Sequence, residues 1–175
     1  MLTNEPRFLI WGPWARSELW VAPEWEGRPE LGPWLTEDGR RITEVIAEGK
    51  ADTLGFPVWF EQSQNCRDTK RPRSDMLWNE GSPAKVVSER FVQTLTDLGA
   101  TGFSTYPVEV RTRKGEAVEG YVGLVADTTG TTDVTSTGWE DGLQSHRLLV
   151  TEKILAGLLE AGLRIDWEPD EPDED

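Results

Sequence analysis

The second half of this chain contains two copies of one sequence unit that predicts a helix. The stretches VVSERFVQTLTDLGATGFSTYPVEV and LVTEKILAGLLEAGLRIDWEP align when Ser88 is placed on Thr151, and the same alignment brings Gly99 onto Gly162. This duplication constrains the fold more than any other feature of the sequence, because both copies predict the same order of local structures.

Each copy predicts a strand, a helix and a second strand. The hydroxyl residue after the first apolar pair can accept hydrogen bonds from the free N–H groups of a helix start, and the glutamate that follows is favoured by the helix dipole. The glycine at the end of each helical stretch is typical of a left-handed residue that ends a helix. The apolar spacing predicts one buried helix face per copy. These faces comprise Phe91, Val92, Leu95 and Leu98 in the first copy, and Ile154, Leu155, Leu158 and Ala161, widened by Leu159, in the second.

The remaining segments predict further strands. YPVEVRTRKGEAVEGYVGLVAD alternates around a polar turn and predicts a β-hairpin, and the Thr- and Gly-rich segment after it predicts a loop with a short strand at 132–135. RFLIW, ELWVA and FPVWFE predict strands, and ITEVIAEG predicts two helical turns. We therefore expect an α+β fold with a mixed, largely antiparallel sheet, in which two strand–helix–strand pseudo-repeats are linked by a β-hairpin.

The sequence divides into three parts. Residues 1–82 form a turn-and-strand part that holds five of the nine tryptophans within its first 34 residues. Residues 83–169 form the duplicated strand–helix–strand domain, and residues 170–175 form an acidic tail that we expect to be disordered. At 175 residues the chain suits one domain, or one domain with an N-terminal extension.

The charge of the chain restricts its partners. A net charge of −14 disfavours direct binding to nucleic acid and to anionic lipid, because their phosphates would be repelled, and it favours a cationic partner. Residues 166–175 contain seven acidic residues and no basic one. This segment has two interpretations, a solvated tail that aids solubility or an acidic arm that faces a partner. The basic stretch RDTKRPR at 67–73 predicts an exposed loop paired with acids of the same molecule, and the alternative is a local contact with an anion or nucleic acid.

The cellular location follows from what the sequence contains. No apolar run approaches the roughly 20 residues that span a bilayer. The first residues, MLTNEPRFLIWGPW, lack the basic start and apolar centre of a signal peptide, and a single cysteine fits a reducing compartment. We predict a cytoplasmic protein, and the oligomeric state is left open.

The chain carries no motif of a known catalytic or metal site. The hydroxyls of Ser88 and Thr151 would need a base within reach, and the one histidine, His146, adjoins the second copy only. Zinc needs about four ligands, which Cys66 and His146 do not supply. The acid-bearing stretch 127–133 matches no EF-hand loop. We predict a non-enzymatic protein without cofactor or metal, although 32 acidic residues leave a carboxylate-based site open.

The partner is predicted to contact acidic and aromatic side chains. Tryptophan combines a large apolar face with an N–H donor and is common at interfaces, while most tryptophans of the chain are expected in the core. The candidate partner-binding residues are Glu140, Asp141, Asp166, Glu168, Asp170, Trp11, Trp14 and Trp20.

The repeat carries a resemblance to a known family. PAKVVSERFVQTLTDLGATGFSTYPVEV, a hairpin ending in YVGLV, and RLLVTEKILAGLLEAGLRIDW resemble the bacterial domain of unknown function family 1629, over roughly residues 83–169. That family is grouped among the immunity proteins of polymorphic toxin systems, and it has no agreed set of catalytic or binding residues. The resemblance implies a small acidic cytoplasmic protein that binds and neutralises a cognate toxin.

Two further observations bear on that function. The negative charge suits an inhibitor of a basic toxin or nuclease domain, because carboxylates can occupy positions prepared for phosphate and complementary charge speeds encounter. The alternative is an acidic DNA mimic, of phage or host defence, that blocks a nucleic-acid-handling enzyme. A DNA mimic predicts carboxylates spaced like duplex phosphates along one face.

Overall fold

The computed structural model describes residues 5–23, 35–80, 84–136 and 147–171, and these ranges contain ten strands and three α-helices. The strands are β1 Arg7–Trp11, β2 Trp20–Pro23, β3 Val58–Gln62, β4 Met76–Asn79, β5 Lys85–Ser88, β6 Phe103–Arg111, β7 Tyr121–Ala126, β8 Val134–Ser136, β9 Leu148–Thr151 and β10 Asp166–Pro169. The helices are α1 Ile42–Ala47, α2 Glu89–Asp97 and α3 Glu152–Glu160, and a 3₁₀ turn spans Ala51–Leu54.

The strands divide between two sheets. Six strands close into a barrel in the order β2-β3-β6-β7-β5-β4, and four form a second sheet in the order β10-β1-β9-β8. The pairs β2–β4 and β3–β6 are parallel and the other pairs are antiparallel. The predicted α+β class with mixed, largely antiparallel pairing is confirmed, and its strands are shared between a barrel and an open sheet.

Both copies of the sequence unit form a strand, a helix and a strand. In the first, β5 and β6 flank β7 and both run antiparallel to it. In the second, β9 and β10 flank β1 and both run antiparallel to it. The two strands of each unit are therefore parallel to each other with a third strand between them. The first unit receives that middle strand from its own hairpin, whereas the second receives it from the N-terminal part of the chain.

Two apolar clusters form the core. One lies between the two sheets and the helices, where Phe91 and Leu95 of α2 meet Ile154 and Leu158 of α3, all with 0% exposure. The other fills the barrel and contains Phe60 with Val21 and Val86 among its fully buried side chains. The paired helices thus cover the outside of the barrel and one face of the four-stranded sheet.

The helix faces agree with the sequence pattern except at the end of α3. Phe91 and Leu95 are buried, and Val92 and Leu98 pack partly against the same cluster. Leu159, however, is 40% exposed, and Ala161 at the end of the helix is exposed as well. The expected buried stripe of the second copy was wrong at these two positions, because α3 packs through its Ile154 side and ends at Glu160.

The helix ends also differ between the copies. Ser88 Oγ accepts a hydrogen bond from the Phe91 N–H at 3.0 Å, as expected of an N-cap. Thr151 occupies the same position before α3, but its side chain makes no capping bond and its buried hydroxyl has no partner among the described residues. Gly99 and Gly162 have φ values of 66° and 76°, so both helices end in the left-handed residue that the sequence predicts.

The N-terminal segments lie within both sheets. The predicted strands are present as β1, β2 and β3, the short helix is α1, and the strand expected at 132–135 spans Val134–Ser136. β4 was not predicted. The division into 1–82, 83–169 and 170–175 stays a prediction; β1 pairs with β9 and β10, and β3 pairs with β6, so strands from both sides of residue 82 share both sheets.

The basic loop is paired with acids of the same chain. The Asp68 carboxylate binds Arg71 at 3.2 Å and Arg73 at 2.9 Å, and Lys70 lies 4.0 Å from Glu18. This pairing neutralises much of the local positive charge.

Within the four described ranges, every helix is too short or too polar to cross a membrane.

Candidate functional site

The exposed edge of the four-stranded sheet is acidic and aromatic. β10 is the edge strand, and it pairs with β1 so that Asp166 lies opposite Trp11 and Glu168 opposite Leu9. Glu168 is exposed and Asp166 is partly exposed. Trp167, between them, is 42% exposed, although its ring edge contacts Phe8 at a centroid distance of 5.8 Å. This edge therefore offers carboxylates and an indole to solvent within one short strand.

A second exposed tryptophan adjoins this edge. Trp14 is 62% exposed, and its ring lies 6.3 Å from that of Trp78 on β4, at an interplanar angle of 38°. The approach depends on Gly12, because a Cβ at this position would lie 2.4 Å from the Met76 carbonyl oxygen and 2.6 Å from the Trp78 nitrogen. Gly12 lets the chain after β1 lie directly against the backbone of β4, which brings the two indoles together.

A groove opens between β1 and the barrel strands β4 and β5. Its volume is about 480 Å³, within the range of roughly 300–1,000 Å³ typical of small-molecule sites. We call it the Trp groove. The residues that define it are Leu9, Trp11, Trp14, Leu77, Trp78 and Lys85, with Arg147 and Glu168 as further charged residues of its lining.

Lys85 is the unusual member of the Trp groove. Val86, its neighbour on β5, belongs to the barrel interior, so Lys85 lies on the outer face of the barrel, toward the four-stranded sheet. The side chain is partly buried, and this burial lowers the pKa of Lys85 to about 8. Among the described residues it has neither a hydrogen bond nor an ion pair. This ammonium therefore lies in a largely apolar groove, and no carboxylate of the described residues bonds it.

Trp14 also borders a second cavity, of about 550 Å³, whose lining includes Pro13, Glu18, Arg164 and Asp166. Glu18 is 2% exposed, and its Oε1 accepts a hydrogen bond from the Arg164 guanidinium. Its other oxygen, Oε2, is buried without a partner among the described residues. Trp14 thus lies exposed between the Trp groove, whose lining includes Lys85, and a cavity bordered by two carboxylates.

The structure brings together four of the predicted partner-binding residues, Trp11, Trp14, Asp166 and Glu168. Asp170 follows β10, is exposed, and donates its backbone N–H to the Arg7 carbonyl oxygen at 2.9 Å.

Of the other three predicted residues, one lies apart from this group and two fall outside the described ranges. Trp20 lies on β2 of the barrel, packs against the barrel core, and donates its indole N–H to the Ala15 carbonyl oxygen at 3.1 Å. Glu140 and Asp141 lie outside the described residues.

Sequence reasoning missed Trp167, Trp78 and Lys85 as site residues. Trp167 could have been found, because it lies inside the acidic segment that was singled out. Trp78 belongs to β4, a strand that was not predicted. Nothing in the local sequence distinguishes Lys85 from an ordinary solvated lysine at the start of a strand.

The described ranges show no cluster of three or more histidine, cysteine, aspartate or glutamate side chains that could hold a metal ion. In the acid-bearing stretch 127–133, the backbone carbonyls of Gly130, Thr132 and Asp133 accept hydrogen bonds from the Arg7 guanidinium. The Asp133 carboxylate accepts from the Thr101 N–H at 2.9 Å. The oxygens of this loop thus bind groups of the protein itself.

No protein-family model matches the chain, and no curated protein matches it. The resemblance to family 1629 stays a prediction from the sequence.

Proposed function

We propose that this chain is a non-enzymatic binding protein, an immunity-type inhibitor that neutralises a cognate cationic bacterial toxin through the β10 edge. The observation that carries the proposal is the edge strand itself, in which Asp166 and Glu168 alternate with the 42% exposed Trp167. Asp170, which follows β10, adds another carboxylate beside this strand, and the exposed Trp14 adds another indole. We call these five residues the acidic edge.

The composition of the acidic edge suits a basic protein surface. Tryptophan and paired charges are typical of the side chains that dominate binding energy at interfaces. Carboxylates beside an indole can bind lysine or arginine both by charge and by contact of the cation with the ring face. The acidic residues described on β10 form one short cluster beside aromatic rings, which favours a protein partner over mimicry of a nucleic-acid duplex.

The backbone of β10 indicates how a partner would dock. Edge strands that carry charges and proline resist pairing with a further strand. β10 has acidic residues at two of its four positions and ends in Pro169. We therefore expect the partner to contact the side chains of this edge and not to extend the sheet.

The experiment uses the toxin-like domain encoded by the neighbouring open reading frame. Its affinity for this chain is measured by surface plasmon resonance at low and high salt, together with growth of cells that express both proteins. The test variant is the triple substitution Asp166→Asn, Glu168→Gln and Asp170→Asn. The control removes the same charge from exposed positions elsewhere and combines Glu44→Gln, Glu116→Gln and Glu119→Gln.

We expect the test variant to lose most of its affinity and its protection of growth, chiefly through slower association, while the control keeps both. We also expect affinity to weaken as salt is added. Binding that is independent of salt, or an equal loss in both triple variants, would contradict docking at the acidic edge. The absence of any complex with the neighbouring domain would reject the inhibitor function itself.

A further inference from the structure

The Trp groove differs in chemistry from the acidic edge beside it. Its walls are indole rings and aliphatic side chains, with Trp11 and Leu9 from one sheet and Trp78 and Met76 from the barrel. Flat aromatic walls favour a planar apolar group, because ring stacking and contact area both contribute. A volume of about 480 Å³ admits a ligand of one or two fused rings with a short side chain.

Lys85 supplies the one ammonium group among the described residues of this lining. An uncompensated cation among apolar groups is unfavourable, and such groups normally acquire a partner or lose their charge. Because its pKa is about 8, Lys85 is still mostly protonated at pH 7. The other charged groups that face the groove are Arg147, before β9, and Glu168, on β10. Neither Glu168 nor another described residue bonds Lys85, so within the described ranges the ammonium has its three donors open to a ligand.

We propose that the Trp groove is a binding site for a small aromatic monocarboxylate, whose ring lies between the tryptophans and whose carboxylate accepts hydrogen bonds from Lys85 Nζ. The aromatic part follows from the indole walls, and the anionic part follows from an ammonium that no described residue pairs. A single negative charge is specified because the Glu168 carboxylate in the same lining would repel a second one. Trp14 and Glu168 line the groove and also belong to the acidic edge, but this proposal rests on a group of the opposite charge and on a concave surface.

The test is calorimetric titration of the full chain with two probes of nearly equal shape, indole-3-acetate and the neutral indole-3-acetamide, at pH 7. We expect the acetate to bind about tenfold or more tightly than the amide, because a hydrogen bond to a charged group is worth more than its neutral counterpart. The variant Lys85→Met should lose about tenfold or more in affinity for the acetate and little for the amide. The matched control is Lys114→Met, which removes an exposed lysine from the β6–β7 loop and should change neither affinity.

Two additional variants keep the result interpretable. Lys85→Gln removes the charge and keeps most of the side-chain length, so it replaces Lys85→Met if the latter fails to fold. Trp78→Leu should weaken both probes equally, because it removes a wall and leaves the cation. Equal affinity for acetate and amide, undiminished acetate binding by the Lys85 variants, or no heat from indole-3-acetate at millimolar concentration would each overturn the proposal.

Discussion

The carboxylate of Asp75 accepts a hydrogen bond from the backbone N–H of Arg164 at 2.8 Å, and so joins the start of β4 to the segment between α3 and β10. The same carboxylate binds the Arg90 guanidinium at 2.8 Å and the Ser88 hydroxyl at 2.7 Å. Asp75 is 5% exposed. One buried acid therefore links both strand–helix–strand units, although it belongs to neither.

We predict that Asp75→Asn destabilises the fold by about 1–3 kcal/mol, because the amide leaves buried donors with poorer partners. The Arg90 side chain is 57% exposed and can turn to water, which keeps the loss below that of a fully buried ion pair. Urea unfolding measures the change. Asp97→Asn, an exposed acid of α2, is the control, and an equal effect of the two substitutions would refute the linking role of Asp75.

The lowered pKa of Asp75 also predicts that the fold loses stability in acid. Burial by itself raises the pKa of Asp75, but hydrogen bonds from Arg90, from the Arg164 amide and from Ser88 outweigh burial and hold this pKa below its usual value. The stability that Asp75 contributes is therefore present above the unfolded pKa of about 4 and is lost as the pH falls through the lower folded pKa. Unfolding free energies measured below pH 4 should fall more steeply for the native chain than for Asp75→Asn. Parallel curves would contradict this.

The two helix starts predict unequal substitution effects. Ser88→Ala removes a capping bond and the contact with Asp75, so a loss of about 1–2 kcal/mol is expected. Thr151→Val replaces an unpartnered buried hydroxyl with a methyl group of the same shape, so stability should stay the same or rise. Thermal unfolding of both variants checks the difference. A comparable loss at Thr151 would show that it caps α3 in solution.

The Tyr106 ring lies directly over Gly123, its partner across the β6–β7 pair. A Cβ at position 123 would lie 2.2 Å from Tyr106 Cζ. We expect Gly123→Ala to cost about 1–3 kcal/mol by overpacking, and to cost much less when Tyr106→Leu is already present. A double-mutant cycle measured by urea unfolding gives the coupling, and additive effects would mean that the ring and the glycine do not depend on each other.

The lowered pKa of Lys85 predicts that the free energy of unfolding rises as the pH becomes alkaline. Its pKa falls from 10.5 to about 8 on folding, so the charged form is penalised in the folded state at every pH below about 8, and the penalty disappears as the pH rises to 10.5. The relief amounts to about 1–3 kcal/mol, because the ammonium keeps some contact with water. Lys85→Met should therefore be more stable than the native chain at pH 7 and show a flatter curve between pH 8 and 10.5. Lys114→Met should follow the native curve.

Much of the local structure was predictable from short-range patterns. The caps, apolar spacing and glycines around Ser88 and Gly99 predict a helix because each acts within a few residues. Alternation predicts the β6–β7 hairpin for the same reason. Strand β4 was not predicted, because its four residues, MLWN, show no recognisable alternation of apolar and polar side chains.

For the candidate site, the sequence predicted the residue types but not which residues lie together. The sequence places acids and tryptophans in two segments more than 150 residues apart, Trp11–Trp14 and Asp166–Asp170, and shows nothing that joins them. Antiparallel pairing of β1 with β10 brings these segments together, with Trp11 opposite Asp166.

By itself the sequence determined the two helical units, their ends and the excess of negative charge, since these depend on neighbours along the chain. Tertiary structure alone decided that the units contribute to different sheets, that Asp75 connects them, and that Lys85 is withdrawn from water beside Trp78. The physical reason is that pairing and burial depend on the residues brought near from distant parts of the chain, and no local pattern encodes those neighbours.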